Sequence, residues 1–288
     1  MSGMDVEKVT KRFGNVNALR DVSVHFDPNK VYGLLGSNSA GKSTLLNVIA
    51  GRIFANEGAV RMDGVPVPEN DSALRNIFLM SETNLYPGNM KIHRALKWTA
   101  KFYPDFDEAY ANRLAAEFKI DPNKKIKSLS TGTRTIFKII AALASNAAYL
   151  LLDEPTLGLD AENREIFYQA IIRKCTENPC TIIIATHLIE EASVIFDHVV
   201  IVKDGRIIRD ESCEELLRKG REITGSASAV EQFIQDKTVL GVESFGGQKT
   251  AYCLGEFNSL SVPEGLRVSG MNLQKLFIRM VHSQEEGI

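Results

Sequence analysis

Apolar and polar positions alternate early in the chain. Val22-Ser23-Val24-His25-Phe26 has period two, and Asp27-Pro28-Asn29-Lys30 is a turn cluster, so residues 4–35 read as β-rich. The apolar run Val31–Leu35 leads into a polar, glycine-bounded stretch and then Leu45–Ala50, the order strand, loop, helix. Gly58–Gly64 reads as a short strand into a turn, and Asn76–Met80 as a buried strand closed by Ser81-Glu82. The period then becomes helical. Ile92, Ala95, Leu96, Thr99 and Phe102 share one face up to Pro104, and Tyr110, Leu114 and Phe118 share another up to Asp121-Pro122. Ile136, Ile139, Ile140 and Leu143 mark a third helix, with Ser130 available as its N-cap.

Tyr149–Leu152 is unbroken and apolar, as a parallel strand buried on both faces should be. A helix from Ala161 to about Cys175 turns Ile166, Phe167, Ala170 and Ile171 inward. Thr181–Ala185 is the next buried strand, followed by a helix over Leu188–Ile195, a strand over Val199–Lys203 and a turn at Asp204-Gly205. This alternation, up to about residue 220, specifies an α/β domain with a mostly parallel sheet and helices on both sides. Residues 221–288 change texture. Short alternating segments, Gly246-Gly247 and a final amphipathic helix carrying Leu273, Leu276, Phe277, Met280 and Val281 read as a small α+β domain.

Composition narrows the function classes. The 288 residues suffice for one large domain or two unequal ones. The net charge of −2 gives no reason to expect a nucleic-acid partner, and Lys124-Lys125-Ile126-Lys127 reads as a solvated loop. Cys175, Cys180, Cys213 and Cys253 form no metal-binding or C-x-x-C spacing, which favours reduced thiols. The N-terminus lacks the pattern of a secretory signal. The longest apolar stretch, Ile139–Leu152, is broken by Ser145-Asn146 and is too short to cross a bilayer, so a membrane role requires another chain.

Candidate chemistry centres on Gly36-Ser37-Asn38-Ser39-Ala40-Gly41-Lys42-Ser43-Thr44, with the G-x-x-x-x-G-K-[ST] spacing of a P-loop. Backbone N–H groups at a helix N-terminus receive phosphate oxygens. Gly36 and Gly41 permit positive φ and close approach, Lys42 brings a compact positive charge, and the Ser43 hydroxyl is a hard ligand for Mg²⁺. Asp153-Glu154-Pro155 ends a buried strand, where ligands bind in open α/β sheets. Asp153 suits a metal contact, and Glu154, on the opposite side of the chain, suits proton abstraction from water; the alternative is a water-exposed acid pair. His187 also ends a strand, and catalytic and structural roles are both open to it. Phe13 is either a base-stacking ring or a core aromatic.

The order of these pieces resembles the nucleotide-binding subunit of ATP-binding cassette (ABC) transporters over residues 3–217, in particular exporters of drugs, lipids or antimicrobial peptides. The P-loop, Leu129-Ser130-Thr131-Gly132-Thr133, Asp153-Glu154-Pro155, Gly158-Leu159-Asp160 and His187 carry the likeness. The resemblance implies a P-loop cassette over residues 1–220, with an antiparallel β subdomain and a helical subdomain at about 82–135, and an accessory domain over 221–288. It implies ATP and Mg²⁺. Phe13 would stack on adenine, Gly36–Thr44 would hold phosphates, and Ser43, Asp153 and Glu82 would hold the metal. Glu154 would be the general base, with His187 on the γ-phosphate and Lys42 and Glu82 assisting. Ser130 and Gly132 would face the ATP of a second nucleotide-binding subunit, with Asp160 along that interface.

A separate transmembrane permease is the other implied partner, placing the chain on the cytoplasmic face of the plasma membrane. The implied function is ATP hydrolysis powering an exporter; an importer subunit, or a soluble ABC ATPase acting on ribosomes or DNA, are the alternatives. Ribosome-acting members carry two cassettes and DNA-repair members a long coiled coil, and neither is present in these residues. Three positions depart from the family pattern. Glu82 stands where Gln is usual, Leu-Ser-Thr-Gly-Thr replaces Leu-Ser-Gly-Gly-Gln, and Leu157 replaces a small residue.

Overall fold

Strands covered on both faces need apolar side chains on both, and three such runs lie side by side here. The computed structural model describes residues 2–255 and 262–283. In chain order its elements begin with β1 (Met4–Phe13), β2 (Val16–Phe26), β3 (Val31–Leu35), α1 (Lys42–Ile49), β4 (Glu57–Met62), β5 (Val65–Pro66), α2 (Asp71–Leu74) and β6 (Ile77–Met80). Then come α3 (Ile92–Thr99), α4 (Glu108–Glu117), α5 (Thr131–Ala144), β7 (Tyr149–Asp153), α6 (Ala161–Glu177), β8 (Thr181–Thr186) and α7 (Ile189–Ala192). The remainder is β9 (His198–Lys203), β10 (Arg206–Ser212), α8 (Cys213–Lys219), β11 (Gly220–Ser226), α9 (Ala227–Phe233), β12 (Thr238–Phe245), β13 (Gln248–Leu254), β14 (Arg267–Gly270) and α10 (Leu273–Ser283).

Two compact units emerge from the contacts. Residues 1–187 and 200–210 form one, and residues 188–199 and 211–288 the other. In the first, a six-stranded sheet has the order β10-β9-β3-β8-β7-β6, and an antiparallel sheet has the order β2-β1-β4-β5. Every residue of β3, β7 and β8 is buried. Leu45, Leu46, Val48 and Ile49 of α1 share one core with Met4 and Phe26 of the antiparallel sheet and Leu34 and Leu151 of the larger one. The helix is thus buried between two sheets, and the Phe26 and Tyr32 rings meet edge to face at 4.9 Å. The α/β cassette architecture read from the sequence is the one observed.

Parallel register decides where chemistry can occur. Leu35 pairs with Thr186, Asp153 with Ala185, and Met80 with Leu152. The carboxyl ends of β3, β8, β7 and β6 are therefore level. The residues that leave them, Gly36, His187, Glu154 and Ser81-Glu82, emerge along one edge. The break foreseen at Ser145-Asn146 is also present: Asn146 takes φ +52, a conformation Asn tolerates, and ends the path from α5. The helix expected over Leu188–Ile195 is shorter. α7 covers one turn, and Ser193–Ile195 tightens into a 3₁₀ turn with the Ser193 hydroxyl donating to the Glu190 carbonyl.

The second unit contains an antiparallel sheet of order β12-β13-β11-β14. Ile223, Ala251 and Cys253 on one face bury against Val230 of α9. On the other, Lys275 of α10 bonds Glu222 at 2.6 Å, and the Arg279 guanidinium lies 3.8 Å from the centre of the Tyr252 ring. Each face thus has its own helix. All four cysteines are free, and no described helix is long and apolar enough to cross a membrane.

Candidate nucleotide site

The loop between β3 and α1 owes its shape to backbone crowding. A Cβ at Gly41 would lie 2.6 Å from the Ala18 carbonyl oxygen, and Gly41 has φ +110. Gly36 is different from the sequence expectation: its φ is not positive, and the glycine is required because a Cβ would lie 2.6 Å from the Val202 carbonyl oxygen. The extra left-handed residue is Ser39, at φ +67. Asp204-Gly205 backs the loop, with the Gly205 N–H donating to the Ala40 carbonyl at 3.0 Å. Nothing in the local sequence around Gly205 signals this, because it lies over 160 residues from the loop it supports.

A cavity of about 830 Å³ opens above this loop. Its wall includes Asn38–Thr44, Glu82, Asp153 and Glu154, joined by Val16–Ala18 of the first hairpin. Lys42 is buried, and its Nζ donates to the carbonyls of Gly36 at 2.7 Å and Ser37 at 3.1 Å. Burial pushes its ammonium below the usual lysine range, opposed by the charges of Glu154 and Asp153. Asp153 is also buried, and burial foremost holds its carboxyl above the usual range; a hydrogen bond with Ser43 works the other way. Among the described residues Asp153 Oδ1 has no hydrogen-bond partner. A buried carboxylate oxygen without a hydrogen-bond donor, beside a serine hydroxyl, offers the hard oxygen ligands a divalent cation takes, so Asp153 and Ser43 fit Mg²⁺.

Glu154 was expected on the opposite side of the chain from Asp153, because strand neighbours alternate. The strand ends at Asp153, however, and Glu154 takes φ +48, which turns its carboxylate into the same cavity. Glu154 Oε2 lies 2.9 Å from His187 Nδ1, and only 17% of the Glu154 side chain is exposed. The reading of Asp153-Glu154 as a water-exposed acid pair does not hold. Phe13 is half exposed, which removes the core-aromatic reading; it lies beyond the residues lining the cavity, with Lys11 Nζ 5.1 Å from its ring centre.

Ser130, Gly132 and Asp160 do not border this cavity. Ser130 caps α5, accepting from the Thr133 N–H, and Asp160 caps α6, accepting from the Asn163 N–H at 2.9 Å. The two turns touch: a Cβ at Gly132 would sit 2.4 Å from the Gly158 carbonyl oxygen. Two residues that the motifs did not single out hold the Glu82 loop from outside the cavity. Arg52 donates to the Leu79 carbonyl and the Ser81 hydroxyl, and Lys138 of α5 donates to the carbonyls of Ser81 and Glu82. Burial, with Arg134 nearby, pushes the Lys138 ammonium below the usual lysine range, while Glu82 opposes that shift.

Comparison with known proteins agrees with this geometry. The ABC transporter family profile matches residues 19–157. The chain is 29% identical over 213 residues to the ABC transporter ATP-binding protein YtrB of Bacillus subtilis, covering 74% of this chain and 73% of that one. It is 32% identical over 250 residues to the ribose import ATP-binding protein RbsA 2 of Rhizobium etli, but spans only 47% of that protein's length. Among solved structures, an ATP-binding subunit of an ABC transporter superposes with a TM-score of 0.68 at 23% identity, covering 75% of this chain and 92% of the other. A dimeric ATP-binding cassette in a post-hydrolysis state with ADP and Pi gives 0.65 at 23% identity, covering 73% and 98%. A cavity built on a P-loop, the profile match and these relatives agree: residues 19–157 lie in an ABC transporter ATP-binding domain.

Proposed function

We propose that this chain is the ATPase subunit of a membrane exporter, working as one of two cassettes that close on MgATP beneath a separate permease. The convergence of Lys42, Ser43, Asp153, Glu154 and Glu82 on one cavity carries the reading. The loop amides and Lys42 receive the phosphates, with Lys42 exchanging a carbonyl partner for phosphate oxygen. Ser43 and Asp153 would hold Mg²⁺, with Glu82 lining the same cavity; the ion would neutralise phosphate charge, and phosphoryl transfer depends mainly on such positioning and charge stabilisation. Glu154 takes the proton of the attacking water. His187 Nδ1 holds the Glu154 carboxylate, leaving Nε2 for the γ-phosphate. Phe13, at the tip of the first hairpin, stacks on the base.

Ser130, Gly132 and Asp160 gather away from their own cavity, which supports their serving the nucleotide of a second cassette. Binding then favours the paired state through contacts that only the pair makes. A second cavity, about 800 Å³ and lined by Phe78, Leu85, Trp98, Phe102 and Tyr103, supports contact between the helical segment and a membrane partner. Residues 1–220 act as the cassette in this reading and 221–288 as an accessory domain, on the cytoplasmic face of the membrane.

Import is the second reading. Several relatives are named for sugar import, including RbsA, MglA and XylG proteins. The chain spans about half the length of those three relatives; the added segment over residues 221–288 is what favours export in this reading. Purification from membranes, followed by transport assays in inside-out and right-side-out vesicles, tests the proposal. A polytopic partner and ATP-driven efflux are expected. Recovery without any membrane protein would refute the transporter role, and ATP-driven uptake would refute export.

A further inference from the structure

The loop that carries Glu82 is held by backbone contacts rather than by its own regular structure. It follows β6 directly, and its turn faces the phosphate cavity. Its carbonyls at Ser81 and Glu82 both accept from Lys138 Nζ, at 2.6 and 2.7 Å. Lys138 lies on α5, two turns from the Ser130 cap, and its neighbours Phe137, Ile139 and Ile140 are buried. Lys138 is half-buried on this helix, and both of its hydrogen-bond partners among the described residues are backbone carbonyls of this one loop. From the other side Arg52, just past α1, donates to Leu79 and Ser81. The Glu82 loop is therefore fixed between a cation on the helix that starts at Ser130 and one beside the helix that starts at Lys42.

We propose that Lys138 is a positioning residue for ATP hydrolysis, tying the Glu82 loop to α5 so that the Glu82 carboxylate and the Ser130–Gly132 turn move as one body. Resting on the ATPase reading above, this gives the Gln-to-Glu departure at residue 82 a physical partner. A third carboxylate beside Asp153 and Glu154 adds repulsion within the cavity. The Lys138 ammonium offsets that charge and restrains the loop, without itself bordering the cavity. Lys138 acts through Glu82 and does not touch the nucleotide.

The test uses the full chain with Lys138→Met, Lys138→Arg, Glu82→Gln and the Glu82→Gln/Lys138→Met double variant. Steady-state hydrolysis is followed at varied ATP and Mg²⁺, with thermal melts on each protein. Lys138→Met is expected to lower kcat by about 10-fold or more, because a small misplacement of a reacting group costs that much. KM, and ATP binding measured by calorimetry, should change less than about 2-fold. Lys138→Arg should restore most of the rate. The double variant should be no slower than the slower single variant, since both act through one group. An unchanged kcat in Lys138→Met overturns the proposal. So does a multiplicative loss in the double variant, or a Tm fall that Lys138→Arg corrects without recovering rate. Glu154→Gln is run in parallel: if it hydrolyses at the wild-type rate, the ATPase reading fails, whatever Lys138 does.

Discussion

Gly132→Ala isolates the contact between the two turns outside the cavity. Gly132 lies in the first turn of α5, where alanine is preferred to glycine by about 1 kcal/mol. Against that gain, the new Cβ would stand 2.4 Å from the Gly158 carbonyl oxygen. A carbon–oxygen contact needs about 3.3 Å, so roughly 0.9 Å of displacement is required. The obstacle cannot rotate away, because it is backbone. Its loop is closed by the Leu159 N–H on the Thr156 carbonyl at 3.1 Å, and the Thr135 hydroxyl donates to the Leu157 carbonyl at 3.0 Å. Overpacking of this kind costs about 1–3 kcal/mol, leaving a net loss of roughly 0–2 kcal/mol. At about 2–4 °C per kcal/mol for a domain of this size, Tm should fall by at most about 8 °C. Function should suffer more, since misplacing participating groups by about 1 Å costs roughly 10²-fold in rate. ATP binding, measured by calorimetry, should be unchanged, because the cavity is lined by other residues. Hydrolysis, and ATP-driven pairing followed by light scattering in a Glu154→Gln background, should both collapse. Wild-type turnover and pairing in Gly132→Ala would refute the role of this contact in assembling the site.

Three further variants probe the cavity itself. Glu154→Gln keeps a side chain able to bond His187, so ATP binding should persist while kcat falls by roughly 10²–10⁴-fold in a phosphate-release assay. Asp153→Asn removes a carboxylate whose burial disfavours its charged form; without Mg²⁺ its Tm should equal or exceed that of the parent, while Mg²⁺-dependent hydrolysis is lost. A lower Tm would instead make Asp153 a structural pin. Gly36→Ala places a Cβ 2.6 Å from the Val202 carbonyl oxygen, so ATP affinity should drop by about 10-fold or more in calorimetry, with Tm reduced by several degrees at about 1–3 kcal/mol of overpacking.

Legibility in the sequence followed the range of the forces involved. Val31–Leu35, Tyr149–Leu152 and Thr181–Ala185 were readable as buried strands because burial on both faces leaves an unbroken apolar mark in a few residues. The P-loop was readable because its chemistry is local, with phosphate-binding N–H groups, Lys42 and Ser43 all within one turn of a helix. The reason for Gly36 was not readable. Its neighbour is the carbonyl of Val202, brought there only when the sheet forms. The same holds for Gly205 behind the loop and for Lys138 beneath Glu82, each more than 50 residues from what it holds. Glu154 shows the limit of a periodicity argument. Alternation assigns it to the face opposite Asp153, but alternation applies only while the strand continues, and one residue at φ +48 reverses the outcome. That reversal has a functional logic. Strand geometry alone would give the cavity one carboxylate from this segment; leaving the strand after Asp153 gives it two, one buried where a cation can meet it and one held by His187. A non-glycine residue at positive φ is costly and persists when surrounding structure over-determines it. Here the Glu154 N–H on the Ala185 carbonyl at 2.8 Å and the His187 contact supply that constraint, so the strain sits on the residue to which proton abstraction is assigned.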